Sequence, residues 1–102
     1  MKRLAFKMYL KPGYEIEYER RHNEIWPELQ KELKESGISD YSIYWDRESN
    51  YLFAFQKVDE LVSSHDPAAI IWKWWAYMSD IMETNPDTSP LSVSLKEVFH
   101  MD

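Results

Sequence analysis

Leu4, Phe6, Met8 and Leu10 recur at every second position, with Ala5, Lys7 and Tyr9 between them. That period of two predicts a half-buried strand over residues 4–10. Pro12-Gly13 then reads as a turn. From residue 14 to 35 the period changes. Tyr18, His22, Ile25, Leu29 and Leu33 follow one another at steps of four, three, four and four, which marks one face of a helix. Pro27 lies inside this stretch. It removes a backbone donor and disfavours helix at Trp26, so a kink or break is expected near residues 23–27. Gly37 suits the end of that helix.

Residues 38–46 and 50–58 read as two strands joined by a tight polar turn at Arg47–Asn50. The first carries Tyr41, Ile43 and Trp45 on one face; the second sets Leu52, Ala54 and Gln56 against Tyr51, Phe53 and Phe55. A polar loop follows over 59–66. Asp66-Pro67 resembles an N-cap with a first-turn proline. The helix it opens is expected to run to about Glu83, with Ile71, Trp74, Trp75, Met78 and Met82 in one stripe. Residues 85–90 are punctuation, and 92–101 read as a last strand. The order βαββαβ is the split, ferredoxin-like α+β pattern: a four-stranded antiparallel sheet with helices on one face. Its other face would present Tyr9, Tyr44, Tyr51, Phe53 and Phe55. So much uncovered aromatic surface predicts an interface, here a homodimer in which two sheets meet.

Composition narrows the classes. The 102 residues suit one domain, 1–102. Cysteine is absent, which excludes disulfides, thiolate metal sites and thiol nucleophiles and favours a cytoplasmic setting. No apolar run reaches the length of a signal peptide core or a membrane span. A net charge of −6 argues against a nucleic-acid partner. With only Gly13 and Gly37, phosphate-cradling loops are excluded. Three scattered histidines make a metal site improbable. His65 and His100 read as surface residues, and the run Glu15, Glu17, Glu19, Arg20, Arg21 as a solvated helix face with internal ion pairs.

The candidate chemistry lies in Tyr18-x-x-x-His22. Residues four apart share a helix face, here the apolar one, so both polar tips should point at the sheet. Trp74 and Trp75 would face them from the second helix, and Tyr41 from a strand. Indoles offer flat walls to the C–H faces of a sugar, phenols offer hydrogen bonds, and imidazole exchanges protons near neutral pH. Each residue also has a plain structural reading: an inward histidine is commonly a hydrogen-bonded core residue, and a tryptophan pair at helical spacing is commonly a packing stripe.

Residue identity goes further than spacing. Tyr18-Glu19-Arg20-Arg21-His22-Asn23-Glu24-Ile25-Trp26-Pro27-Glu28-Leu29 resembles the signature of the L-rhamnose mutarotase family. Asp40-Tyr41-Ser42-Ile43-Tyr44, the segment Trp74–Met82 and Asn85–Pro90 also resemble it, in the same order, over essentially the whole chain. The resemblance implies a cytoplasmic dimeric α/β barrel that interconverts the α and β anomers of L-rhamnose without a cofactor. It implies His22 as proton donor and Tyr18, Tyr41, Trp74 and Trp75 as substrate-binding residues. A carboxylate such as Asp87, or water, is the candidate base. The chain departs from the family in a shorter loop around residues 59–68, which would bear on sugar preference if it covers the pocket mouth. Glu24 and Trp45 read as neutral variation. Two other functions fit the same fold: a cofactor-free monooxygenase acting on an aromatic substrate, and a non-catalytic sugar-binding module.

Overall fold

The computed structural model describes residues 2–61 and 67–102. Strand β1 (Lys2–Tyr9) leads through the Pro12-Gly13 turn to helix α1 (Glu15–Asn23). Helix α2 (Pro27–Glu35) follows, then the hairpin of β2 (Ile38–Trp45) and β3 (Tyr51–Val58), helix α3 (Ala69–Met78) and strand β4 (Ser92–Leu95). The sheet order is β2-β3-β1-β4, with every neighbouring pair antiparallel. This is the expected ferredoxin-like sheet, with the first helix divided in two.

The division falls where Pro27 requires it. Trp26 is extended (φ −61°, ψ 129°), the conformation favoured before proline, and Pro27 opens α2 at a position where no backbone donor is needed. Gly37 follows α2 in the left-handed region (φ 87°), which terminates the helix.

Two elements are shorter than their periodicity suggests. Helix α3 ends at Met78, not near Glu83. Ser79 and Asp80 turn the chain, and Met82 pairs with Leu10 as an isolated bridge. Ile81 and Met82 stay buried, but in the turn and the bridge that follow the helix. Burial continued past the helix, and a stripe of apolar residues does not say which backbone carries it. The last strand likewise stops at Leu95 instead of 101, where it pairs with Ala5 of β1. Helix α3 is entered from Ala68, with no side-chain cap. Asp66, the expected cap, and His65 lie outside the described residues.

The core forms between the sheet and α2, α3 and the 81–82 segment. Met8, Leu29, Leu52, Ala54, Trp74, Met78, Ile81 and Met82 are all buried in one cluster. Each large apolar side chain so enclosed contributes roughly 1.5–3 kcal/mol.

Strand β2 carries a bulge. Ser39 pairs with Lys57 and Ser42 with Phe55, so Asp40 and Tyr41 together oppose Gln56. Asp40 takes φ 50°, a left-handed conformation that aspartate tolerates better than most residues. Ile38 and Tyr41 are an odd number apart, yet both belong to the helix-covered face because of that extra residue.

Candidate active site

Helix α1 places Tyr18 and His22 one turn apart, on the side facing the sheet. Their rings stack with centroids 4.3 Å apart and 27° between planes. The imidazole Nδ1 lies 3.0 Å from the Tyr18 carbonyl oxygen. A carbonyl only accepts, so Nδ1 carries the hydrogen, and Nε2 is the nitrogen left to exchange a proton. Burial pushes the His22 pKa below its ordinary value of 6.5, against the opposing pull of that carbonyl. The ring is therefore neutral at pH 7.

Trp74 meets His22 edge-on from α3, centroids 5.4 Å apart. Trp26 closes the back of Trp74, edge to face at 5.0 Å. Trp75 sits a helical step further round, packed edge-on against Trp72 at 4.9 Å. Tyr41 approaches from β2, aimed by the bulge, with its ring 6.5 Å from that of Phe6. Tyr18, His22, Tyr41, Trp74 and Trp75 all line one cavity of about 1690 Å³ between the helices and the sheet.

Several polar atoms in this cavity are unspent. The Tyr18 hydroxyl and the Trp74 indole N–H have no hydrogen-bond partner among the described residues, although both residues are only 8% exposed. Among the described residues no solvent-sealed side-chain polar atom lacks a partner, so both atoms keep contact with solvent, and both residues line the cavity. Burial, and then the nearby Tyr41, push the Tyr18 phenol pKa far up. Burial raises Tyr41 to about 12. Tyr41 is 38% exposed overall, but the crowded cavity wall desolvates its phenol. Both phenols stay protonated at any physiological pH, so each keeps a hydrogen to donate.

The acidic and basic run on α1 is not wholly solvated. Arg20 bridges Glu17 and Glu24 at the surface. Arg21, only 9% exposed, crosses to the end of α3. It donates to the Tyr77 carbonyl at 2.8 Å and to both Asp80 oxygens at 2.9 and 3.2 Å, while its Nε holds Glu17 at 2.7 Å. Its guanidinium also stacks 4.3 Å from the Tyr77 ring. The sequence reading missed Arg21 and Trp26 as supports of the site. The signal for Trp26 was its place before Pro27, where a helix break turns a residue out of the expected stripe. Asp87 is exposed, engaged by Ser89, and absent from the cavity wall, so the structure does not bring it to the site. His100 is exposed as expected. Among the described residues no three His, Asp or Glu side chains gather as a metal site would need, and no helix is long and apolar enough to cross a membrane.

A family model described as L-rhamnose mutarotase matches residues 3–101. The chain belongs to the L-rhamnose mutarotase family. Among its relatives, an L-rhamnose mutarotase of Bacteroides thetaiotaomicron is 64% identical, and one of Phocaeicola vulgatus is 62% identical, each over all of both chains. The crystal structure of an L-rhamnose mutarotase from Formosa agariphila superposes with a TM-score of 0.91 at 50% identity, covering both chains completely. The mutarotase signature read in residues 18–29 thus belongs to a match along the full chain.

Proposed function

We propose that this protein is an L-rhamnose mutarotase, with His22 as the proton carrier and Tyr18, Tyr41, Trp74 and Trp75 as the substrate-binding residues. The observation that carries this reading is the imidazole at the wall of an aromatic cavity, its Nδ1–H committed to the Tyr18 carbonyl and its Nε2 uncommitted among the described residues. Family membership supports the substrate.

One imidazole suffices for the chemistry. Neutral Nε2 takes the proton of the anomeric hydroxyl. The C1–O5 bond breaks as the C1=O1 double bond forms. The imidazolium then acts as the acid and gives its proton to the ring oxygen. After rotation about C1–C2, the steps reverse on the other carbonyl face. Atoms and protons balance, and no separate carboxylate base is required. General acid–base assistance of this kind accounts for roughly 10²–10⁴ in rate. The Tyr18 and Tyr41 phenols donate to sugar oxygens, and the indoles take the apolar ring face.

The other parts of the reading rest on the outer face of the sheet. Tyr44 and Phe55 pack edge-on there at 5.7 Å and remain 62% and 45% exposed. Tyr9 and Tyr51 make a second edge-on pair at 4.9 Å, under the Lys7 ammonium. An apolar face of this extent favours a homodimer, two sheets face to face. The absence of cysteine favours the cytoplasm. The comparisons give no support to the monooxygenase or to a non-catalytic sugar binder.

Saturation transfer between the two anomeric protons of L-rhamnose measures the exchange directly. The wild-type protein should accelerate it and His22→Ala should not, while keeping its circular dichroism. Wild-type exchange rates in His22→Ala would remove the imidazole from the mechanism.

A further inference from the structure

The cavity is larger than one sugar needs. Sites that enclose drug-sized ligands measure roughly 300–1,000 Å³, and a single 6-deoxyhexose is smaller than such ligands. Here the half-open cleft measures about 1690 Å³. It continues from His22 and Tyr41 past Ile43 to Trp45 and Arg47. The helical wall is buried, with Tyr18 and Trp74 each 8% exposed, whereas the β2 wall is open, 38% at Tyr41 and 37% at Trp45. Trp45 therefore stands on the open side of the cleft.

Trp45 is built to stay where it is. Its indole N–H donates to the Asn50 side-chain oxygen at 2.8 Å. The Asn50 amide in turn donates to the Leu10 carbonyl at 2.7 Å, which ties the ring to the end of β1. Asn50 holds φ 63° in making this link. The indole is fixed, partly exposed and turned to the same cavity as Tyr41. Beside it the Arg47 guanidinium lies 5.8 Å from the ring centre and makes no ion pair among the described residues, in a chain of net charge −6. A fixed aromatic plate with an unspent fork of donors suits a sugar ring: the plate takes the C–H face and the fork takes hydroxyl oxygens. Tyr41 and Trp45 are four residues apart on one strand, so their Cα atoms are about 13 Å apart at ~3.3 Å per residue. One pyranose does not reach both.

We propose that Trp45 and Arg47 form a second sugar subsite, so that the substrates include L-rhamnose at the reducing end of a disaccharide, its free anomeric centre at His22 and its neighbouring pyranose on Trp45. This rests on the mutarotase reading of the inner site. A substituent on a hydroxyl away from C1 leaves both the anomeric hydroxyl and the ring oxygen free to react.

The test compares anomer exchange of free L-rhamnose with that of 4-O-β-D-glucopyranosyl-L-rhamnose, by saturation-transfer NMR, in the wild type, Trp45→Ala and Arg47→Gln. The wild type should exchange both sugars. Trp45→Ala should lower kcat/KM for the disaccharide about 10-fold, the scale of one lost stacking contact, and leave free rhamnose within about 2-fold. Arg47→Gln, in the exposed turn, should shift the two sugars in the same unequal way. Wild-type exchange of rhamnose but not of the disaccharide overturns the proposal and leaves the mutarotase reading intact. Equal effects of both variants on the two sugars also overturn it. Exchange of neither sugar by the wild type overturns both readings.

Discussion

The His22 imidazole is anchored to the Tyr18 backbone and stacked on the Tyr18 ring, by a 3.0 Å hydrogen bond at Nδ1 and a 4.3 Å ring separation. One residue thus fixes the tautomer and the tilt of the other. Because the anchor is a carbonyl, it survives any change of the Tyr18 side chain.

The pH dependence follows. His22 is held below 6.5, so it is neutral and able to accept above that value. The exchange rate should be level from pH 7 upward and fall only in more acid solution, as pH passes through the lowered pKa and Nε2 becomes protonated. A pH–kcat/KM profile checks this; a rate that rises on acidification contradicts it. The linked effect on stability has the same sign. A neutral buried histidine binds fewer protons than the unfolded chain, so its contribution is complete above 6.5 and is lost as pH falls through the folded pKa.

Tyr18→Phe should keep the His22 anchor and remove only a donor to the sugar. A lost hydrogen bond of about 1 kcal/mol corresponds to roughly a 5-fold drop in kcat/KM. The acid limb of the pH profile should not move. A displaced limb would mean that the hydroxyl, and not the carbonyl, sets the imidazole.

Arg21→Ala should cost about 2 kcal/mol, since several charge-assisted hydrogen bonds and a buried stem are lost, while Asp80 is exposed enough to be rehydrated. Urea unfolding measures it. Asp80, held below its ordinary pKa by Arg21, contributes stability above that ordinary value and loses it as pH falls through the lowered one. The wild-type advantage over Asp80→Asn should therefore vanish in acid.

Deleting Asp40 should regularise β2. Ile38 would still oppose Val58 and Tyr41 would oppose Gln56, both on the helix-covered face, without the left-handed residue. We expect an unchanged or higher melting temperature together with a loss of up to about 10²-fold in kcat/KM, because the Tyr41 hydroxyl is re-aimed. Full activity in the deletion would show that the bulge does not serve the site.

Tyr44→Asp combined with Phe55→Asp should leave the fold intact and yield monomers in sedimentation velocity, where the wild type should sediment as a dimer. Charges placed in a face-to-face sheet contact have no partners there. A monomeric wild type would end the dimer reading.

Strand order, the Pro27 break and the convergence of Tyr18, His22, Tyr41 and Trp74 were legible because each rests on local period or on chain connectivity. Three features were not. The end of α3 was hidden because Ile81 and Met82 continue the apolar stripe after the backbone has left the helix. Arg21 looked solvated because its partner Asp80 is fifty-nine residues away, and pairing at that range leaves no periodic trace. The β2 bulge was invisible because Tyr41, Ile43 and Trp45 alternate correctly whether or not an extra residue precedes them.

Pro27 has an outcome beyond ending a helix. It splits one continuous stripe between two bodies that border the same hollow: Leu29 on the far side is buried in the core, whereas His22 on the near side keeps a ring nitrogen uncommitted among the described residues. An unbroken rod over the same residues would have to sit down or stand off along its whole length, either crushing the hollow or baring the interior. With the break, the contacts that hold α1, Arg21 to Tyr77 and Asp80 among them, are separate from the packing of Leu29 beneath α2.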